Sequence, residues 1–303
     1  MNEPLAIRPG DTVAVVSPSG TPDAIRLKRG VERLESLGLK VVVGAHVLDR
    51  QGLAYLAGPD AVRAADLQSA WCDPAVTAVF CSRGGYGAAR LLHLLDWAAM
   101  RAAGPKTLIG SSDVTALHHA FSFELGWPTL HGPMPACETL ADERHPEPRT
   151  WQNLQAALYG RPHPVVGDRV LVPGRAQGVL AGGNLSLLAS MCGTPYHPSF
   201  DGKIAFLEDV GEDPYRIDRM LTQLLHAGAF RGVRGIALGS WVDCGDPYPV
   251  LLDRLGPLGV PILAGLPVGH GSPQLSVWLG TLGVIDTESC SLAGQFRDED
   301  QAR

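Results

Sequence analysis

The feature that most constrains the fold is an alternation of short apolar runs with segments of helical periodicity across residues 1–135. Short apolar runs recur at 11–16, 40–43, 76–81 and 106–109, and the first three are rich in valine. Segments with apolar residues at helical spacing separate them, at 27–37, 61–71 and 88–95. Strands that alternate with helices form a parallel sheet covered on both faces. The sequence therefore predicts an N-terminal, doubly wound α/β domain.

The second half of the chain has a different pattern. Residues 136–170 contain several prolines and one helix-like run, 150–159, which indicates a connection between domains. Beyond it we expect a glycine-rich turn followed by a helix at 174–185. Short strands are expected at 203–207, 236–241, 260–263 and 277–284. This pattern predicts a smaller C-terminal α/β domain with a less regular sheet. The predicted boundaries are 1–135, 136–170 and 171–303.

Composition excludes several classes of protein. Of 303 residues, 45% are hydrophobic and 18% charged, which permits a sizeable core. The net charge of -6, without any basic block, argues against nucleic acid as a partner. No apolar run has the length of a membrane span, and the first residues lack the features of a signal peptide. The six cysteines are far apart, which predicts a reducing, cytoplasmic compartment and no metal site.

One stretch in the N-terminal half has the pattern of strand, tight turn and helix. An apolar run ends at Gly110, Ser111 and Ser112 follow, and a helix-like run extends over 114–125. Such a turn places a side chain at the carboxyl end of a strand, beside the free N–H groups of a helix. Ser112 could act there as a nucleophile. The alternative is that Ser112 only caps the helix.

Three further positions could complete such a site. The loop 82–87 brings Gly84 and Gly85 together, and adjacent glycines can direct backbone N–H groups at an anion. A strand-to-helix connection without any role in binding would have the same glycine-rich sequence. Glu208 closes an apolar strand, and His270 lies between glycines in a loop. A serine, a histidine and a carboxylate are the groups of a serine hydrolase, although each of the last two could also be a solvated surface residue.

Motifs along nearly the whole chain resemble the LD-carboxypeptidases, or muramoyltetrapeptide carboxypeptidases, a family of serine peptidases. They lie, in this order, at 13–20 (VAVVSPSG), 55–58 (YLAG), 83–87 (RGGYG), 110–117 (GSSDVTAL), 182–185 (GGNL), 206–212 (FLEDVGE) and 269–270 (GH). The chain departs from the family at Ser111, where members usually have an aromatic residue. Of the two adjacent serines, the family pattern indicates Ser112.

The resemblance implies two domains, the first of flavodoxin or amidotransferase type and the second a smaller swivelling domain. By motif, Ser112 is the nucleophile, Glu208 the orienting acid and His270 the general base. Backbone N–H groups of Asp113 and of Gly84 or Gly85 would form the oxyanion hole.

The family also implies a substrate. Its members release the terminal D-alanine of murein tetrapeptides in the cytoplasm, during peptidoglycan recycling, without a metal or other cofactor. They are commonly homodimers. The resemblance thus implies a muropeptide as partner, and neither nucleic acid nor a membrane.

Three residues are weaker candidates for substrate contacts. Arg83 lies beside the glycine loop and could hold the terminal carboxylate, or be a surface charge. Tyr86 could line the site or pack on the next helix. Asn184 could touch substrate or cap its helix.

Two other functions stay open from the sequence. One is that of the microcin-C immunity peptidases, which cleave peptidyl or aminoacyl nucleotides. Those members tend to carry an added loop, and residues 185–203 show no obvious insertion. The other is a non-catalytic, two-domain ligand-binding protein. A nucleotide-binding protein is disfavoured, because neither a Walker nor a dinucleotide motif is present.

Overall fold

Two β-sheets organise the computed structural model, which describes residues 4–294. The first sheet contains the strands β1 (Thr12–Val16), β2 (Lys40–Val43), β3 (Val76–Cys81), β4 (Thr107–Gly110), β5 (Thr129–His131) and β12 (Val277–Leu279). Five strands run parallel in the order β2-β1-β3-β4-β5. This is the flavodoxin order, whose direction reverses between β1 and β3. Ligands bind at the carboxyl ends of strands beside such a switch, here the loops after β1 and β3.

The side chains of β1 explain why helices cover both faces. The helices of this domain are α1 (Ala24–Glu35), α2 (Asp60–Cys72), α3 (Trp97–Ala102), α4 (Thr115–Glu124), α5 (Glu138–Ala141) and α6 (Pro148–Leu158). Val13 and Val15 share one buried cluster with α1 and α6. Ala14 and Val16, which point to the opposite face, share another with α2 and α4. Burial on both faces accounts for the continuous apolar runs in the sequence.

The second sheet is mixed. Its strands are β6 (Val165–Val166), β7 (Arg169–Val172), β8 (Arg175–Asn184), β9 (Lys203–Val210), β10 (Gly235–Val242), β11 (Ile262–Ala264), β13 (Leu282–Asp286) and β14 (Ser291–Gly294). The central strands β8, β9, β10 and β11 are parallel, and the outer strands are antiparallel. Its helices are α7 (Leu185–Ser190), α8 (Pro214–His226) and α9 (Tyr248–Leu255). The predicted two-domain α/β architecture is confirmed.

The glycine-rich segment predicted as a turn is instead the long strand β8. Gly182 and Gly183 lie in it at φ 140° and 141°, where other residues are strained. A side chain on Gly183 would overlap Thr115 at the start of α4. A side chain on Gly182 would instead overlap the backbone of Phe206 in β9. Gly183 therefore allows β8 to approach α4 closely, Gly182 allows it to lie against β9, and neither forms a turn.

The prediction of a single strand at 277–284 is also wrong, because a turn at Gly280, with φ 81°, separates two strands there. β12 pairs with β5 of the first sheet, whereas β13 pairs with β8 of the second. The helix predicted at 88–95 is only a short 3-10 helix, Ala88–Leu91. Within 4–294, no helix has the length and apolar character needed to cross a bilayer. Positions 295–303 of the predicted second domain lie outside the described residues.

Candidate active site

The turn after β4 has the geometry expected for an exposed nucleophile. Ser112 has φ 61°, a left-handed conformation that non-glycine residues rarely adopt. It opens a 3-10 helix, Ser112–Val114, which leads into α4. The residue before α4 is Val114, so Ser112 does not cap that helix. A strained serine between a strand and a helix is the arrangement of a nucleophile elbow.

Gly84 lies directly against this serine. A methyl group added to Gly84 would lie 2.8 Å from Ser112 Cβ, 2.9 Å from its Oγ and 3.5 Å from the backbone nitrogen of Asp113. Only glycine fits this position without displacing the serine. Gly85 follows at φ 117°, and the nearest neighbours of a side chain there would be backbone atoms of Gly20 in the loop after β1.

The side chain of Asp113 joins three loops at the switch point. It is 1% exposed. Its Oδ2 accepts hydrogen bonds from Ser19 Oγ at 2.6 Å, in the loop after β1, and from Ala88 N at 2.8 Å, beyond the glycine loop. Burial raises the pKa of this carboxyl, against the lowering effect of those hydrogen bonds. Asp113 therefore fixes the glycine loop relative to Ser112.

A buried arginine that the sequence did not indicate supports the same loops. Arg63, on α2, is 2% exposed. It donates to the carbonyl oxygens of Pro18, Gly58 and Gly87, and it pairs with the carboxylate of Asp60. Since Pro18 and Gly87 belong to the two loops at the switch point, Arg63 connects both loops to α2.

Glu208 and His270 meet in the second domain. Nδ1 of His270 lies 2.6 Å from Oε2 of Glu208, which is fully buried in β9. Because a carboxylate only accepts, Nδ1 carries the proton and Nε2 is left as the acceptor. Burial lowers the pKa of His270, but the hydrogen bond and charge of Glu208 outweigh it, so the pKa lies above its usual 6.5. The histidine is thus oriented and polarised by a carboxylate.

Asp209, the residue after Glu208 in β9, is also buried. It is 2% exposed and accepts from Asn184 Nδ2 at 2.8 Å and from Ser186 N at 2.9 Å. Burial raises its pKa to about 6. Asn184 caps α7, through a bond from Leu187 N, and its own backbone N–H donates to Thr115 Oγ1 at 2.9 Å. Both residues therefore hold the end of β8 against α4.

A second link across the domain boundary lies beyond His270. Gln274 is 5% exposed, and its Nε2 donates to Ser111 Oγ over 3.2 Å. Its backbone N–H donates to Thr150 Oγ1, and its Oε1 accepts from Thr139 Oγ1. The loop that carries His270 is therefore fastened to the residue that precedes Ser112. Among the described residues, no hydrogen bond joins Ser112 itself to His270, and such bonds often form only with substrate present.

Arg83 and Tyr86 lie at the exposed rim of the glycine loop. Arg83 donates to the carbonyl of Thr21 over 3.3 Å. Tyr86 is 49% exposed, and its ring lies edge-to-face with that of Tyr55, 5.8 Å between centroids. About half of the Tyr86 side chain is therefore exposed to solvent at this rim.

The chemistry available to this arrangement is nucleophilic. A strained serine lies beside backbone N–H groups, and a histidine oriented by a carboxylate lies on the facing domain. Within residues 4–294, no three histidine, cysteine, aspartate or glutamate side chains are grouped so as to hold a metal ion.

Comparisons with known proteins agree across the chain. The family model of the LD-carboxypeptidase N-terminal domain matches residues 13–132, and that of the C-terminal domain matches 177–285. A Streptomyces coelicolor protein whose name places it among the carboxypeptidases is 50% identical, over 95% of this chain and 94% of that protein. The murein tetrapeptide carboxypeptidase of Pseudomonas aeruginosa is 36% identical, over 90% and 92%.

Two solved structures are similar over nearly their whole length. The muramoyltetrapeptide carboxypeptidase from Oxalobacter formigenes has a TM-score of 0.82 and 28% identity, covering 95% of this chain and 100% of that one. The microcin C7 self-immunity protein MccF, in its wild-type apo state, has a TM-score of 0.87 and 25% identity, covering 98% and 99%.

Proposed function

The chain belongs to the LD-carboxypeptidase family of serine peptidases, and we propose that it releases the terminal D-alanine of murein tetrapeptides with Ser112, His270 and Glu208. The observation that carries this proposal is the 2.6 Å contact between His270 and Glu208, on the domain that faces the Ser112 turn. A serine, an imidazole and a carboxylate are the three groups that metal-free acyl transfer requires. The names of the Pseudomonas and Oxalobacter relatives support the substrate.

The proposed reaction has two halves. Ser112 Oγ attacks the carbonyl carbon of the L-centred diamino acid while its proton passes to Nε2 of His270. The carbon–nitrogen bond then breaks, and the amine of D-alanine leaves with that proton. Water attacks the acyl-enzyme with His270 as base, which frees the tripeptide and restores Ser112. Glu208 stabilises the imidazolium in both halves.

The negative charge on the attacked carbonyl needs hydrogen-bond donors. The backbone N–H groups of Asp113 and of Gly84 or Gly85 are our candidates, because Gly84 lies against the Ser112 side chain beside the nitrogen of Asp113. Donors fixed in place before the reaction stabilise a transition state without reorganisation. The hydrogen bonds that Asp113 accepts from Ser19 and Ala88 supply that rigidity.

A carboxypeptidase must also recognise a free carboxylate. We assign this role to Arg83, whose guanidinium lies at the rim of the glycine loop and can form a bidentate pair. Tyr86 would contact the peptide beside it. For Asn184 the hydrogen bonds support a structural role instead, since its side chain is occupied by Asp209 and the start of α7.

The cellular setting belongs to the same proposal. Tetrapeptides that return from the cell wall are substrates of recycling, so we place the enzyme in the cytoplasm, acting on free muropeptides. We also propose a homodimer, as in the family.

The alternative substrate is an aminoacyl or peptidyl nucleotide, which the similarity to MccF favours. Between α7 and β9, where we expect the added loop of such members, residues 191–202 form the whole connection and no further element is inserted. We therefore favour the muropeptide. An assay of tetrapeptide and aminoacyl-sulfamoyl adenosine side by side separates the two, and cleavage of the adenylate alone would reverse the preference.

The decisive experiment measures release of D-alanine from L-Ala-γ-D-Glu-diaminopimelate-D-Ala, with a chelator present. We expect release by the wild type, and a loss of several powers of ten in Ser112→Ala. Ser111→Ala is the matched control and should stay within about tenfold of the wild type, because it loses only a hydrogen bond. Equal loss in both variants would remove Ser112 as nucleophile. Tetrapeptide binding without turnover in the wild type would favour a ligand-binding protein.

A further inference from the structure

A cavity of about 410 Å³ lies between the two domains, and none of the proposed catalytic residues lines it. Its walls include the later turns of α4, the start of β5 and the amino end of β9. Lys203, which begins β9, is five residues before Glu208, or roughly 16 Å along an extended strand. The cavity is therefore separate from the active site, and its volume lies in the usual range for small-molecule sites.

Most of the wall is apolar or aromatic. Phe123 and Trp127 contribute from the first domain, and Tyr196 contributes from the second. Phe123 is 66% exposed, and its ring meets that of Tyr196 edge-to-face, 5.8 Å between centroids. Rings from both domains thus form one surface suited to an apolar or aromatic ligand.

One charged group lies in this wall. The ammonium group of Lys203 donates to the carbonyl of Ser199 over 3.0 Å, which leaves further donors free. No aspartate or glutamate is among the residues that line the cavity. Burial lowers the pKa of Lys203 and outweighs the raising effect of the nearby Asp201 carboxylate, which means that the positive charge is incompletely solvated. An anion in the cavity would restore that lost solvation.

Two histidine nitrogens at the same cavity have no partner among the described residues. These are Nε2 of His119 and Nδ1 of His197, both shielded from solvent. The neighbouring His118 differs, because it bonds to Thr129 Oγ1 at 2.8 Å and to the carbonyl of Gly110 at 3.0 Å. Both atoms have almost no accessible surface of their own, so a bound molecule satisfies them only after a small turn of each ring toward the cavity.

We propose that this cavity binds a small monocarboxylate with an aromatic or apolar body, whose carboxylate pairs with Lys203 and hydrogen-bonds to the free nitrogens of His119 and His197. Both domains contribute to the wall, and each domain carries part of the proposed triad. An occupant therefore adds contacts across the boundary that the triad spans.

The test is calorimetric titration of the whole protein with 3-phenylpropionate at neutral pH. 3-Phenylpropanamide has the same body without the charge. We expect the carboxylate to bind in the submillimolar range, and the amide to bind at least about tenfold more weakly, because it cannot form the ion pair. Lys203→Met, which keeps the aliphatic stem, should weaken the carboxylate by a similar factor. Lys40→Met, at an exposed lysine on β2, is the matched control and should bind like the wild type.

His119→Leu provides a second variant in case Lys203→Met fails to fold, and it should weaken binding severalfold. The proposal is overturned if 3-phenylpropionate gives no heat at millimolar concentration. Equal affinity for acid and amide, or undiminished binding in the folded Lys203→Met or His119→Leu variant, would also overturn it. Displacement of the probe by tetrapeptide in Ser112→Ala would place the probe in the active site and reject the cavity.

Discussion

The contact between Glu208 and His270 determines at which pH the proposed base is available. A protonated imidazole cannot accept the proton of Ser112, so activity should fall as the pH drops through the pKa of His270. Glu208 holds that pKa above 6.5. The structure therefore explains the orientation of the base and also its protonation.

We expect Glu208→Gln to move the acid limb of the kcat/KM profile to lower pH, because the charge that favours the imidazolium is lost. It should also lower kcat on the order of 10³–10⁴-fold, as when the carboxylate of a triad is replaced by an amide. Asp213→Asn, an exposed carboxylate just beyond β9, is the control and should leave the profile in place. An unshifted limb in Glu208→Gln would contradict the assignment. The measurement is kcat/KM against pH with the tetrapeptide.

Gly84 provides a second test at the residue scale. We expect Gly84→Ala to lower kcat by about 10²-fold or more, because its methyl group would displace Ser112 and the donors beside it. Gly283→Ala is the control, since a methyl group there meets only ordinary contacts, with Ala293 O at 3.6 Å. Equal kcat in both folded variants would show that Gly84 does not border the reacting atoms.

At the scale of elements, the site depends on loops that follow neighbouring strands. The loops after β1, β3 and β4 meet at the switch point, where Asp113 binds the first two from the third. Arg63 supports two of them from α2. Loops tied in this way retain the geometry that an oxyanion hole requires, which loose surface loops would not.

We expect Ser19→Ala to lower the free energy of unfolding by about 1–3 kcal/mol, because the buried carboxyl of Asp113 loses a hydrogen-bond donor. It should also reduce kcat about tenfold by loosening the glycine loop. Ser36→Ala is the control: its hydroxyl donates to Arg33 O at the surface, and the change should stay within about 0.5 kcal/mol. Urea unfolding and kcat measure both effects. Unchanged stability in Ser19→Ala would mean that water replaces the bond.

At the scale of the whole molecule, the proposed triad exists only if the domains hold one arrangement. Ser112 belongs to the first domain. Glu208 lies in β9 of the second sheet, and His270 lies in the loop after β11 of the same sheet. Two contacts cross the boundary beside them: Asn184 N to Thr115 Oγ1, and Gln274 Nε2 to Ser111 Oγ. The second contact uses Ser111, the first of the two adjacent serines.

A double-mutant cycle tests that contact. Ser111→Ala and Gln274→Leu should each destabilise the protein, and the double variant should be more stable than their sum by about 0.5–1.5 kcal/mol, because one shared bond is lost only once. Ser111→Ala combined with Ser36→Ala should be additive, since these sites share no partner. Additivity within error in the first cycle would mean that Ser111 and Gln274 do not interact. Urea unfolding supplies the free energies.

The local pattern of the sequence predicted β1 to β4 of the first domain, but neither β5 nor β12 of the same sheet. Valine-rich strands and helical spacing predict a parallel sheet covered on both faces, as observed in the buried clusters around β1. The same reasoning was wrong where glycines bring sheets together. Gly182 and Gly183 look like a turn in sequence. Gly183 instead permits β8 to pass beside Thr115 of α4, and Gly182 permits its close approach to Phe206 of β9, neighbours that are distant in the chain.

The sequence by itself determined the two α/β domains, the strand-turn-helix around Ser112 and the motifs of the family, because local propensity and short spacings encode these. Only the tertiary structure decided that Glu208 and His270 touch, that β12 returns to the first sheet, and that Asp113, Arg63 and Gln274 hold the site. The contacts among these that link separate loops join residues from 24 to 163 positions apart. Side-chain contacts at that separation follow from packing, which no local pattern records.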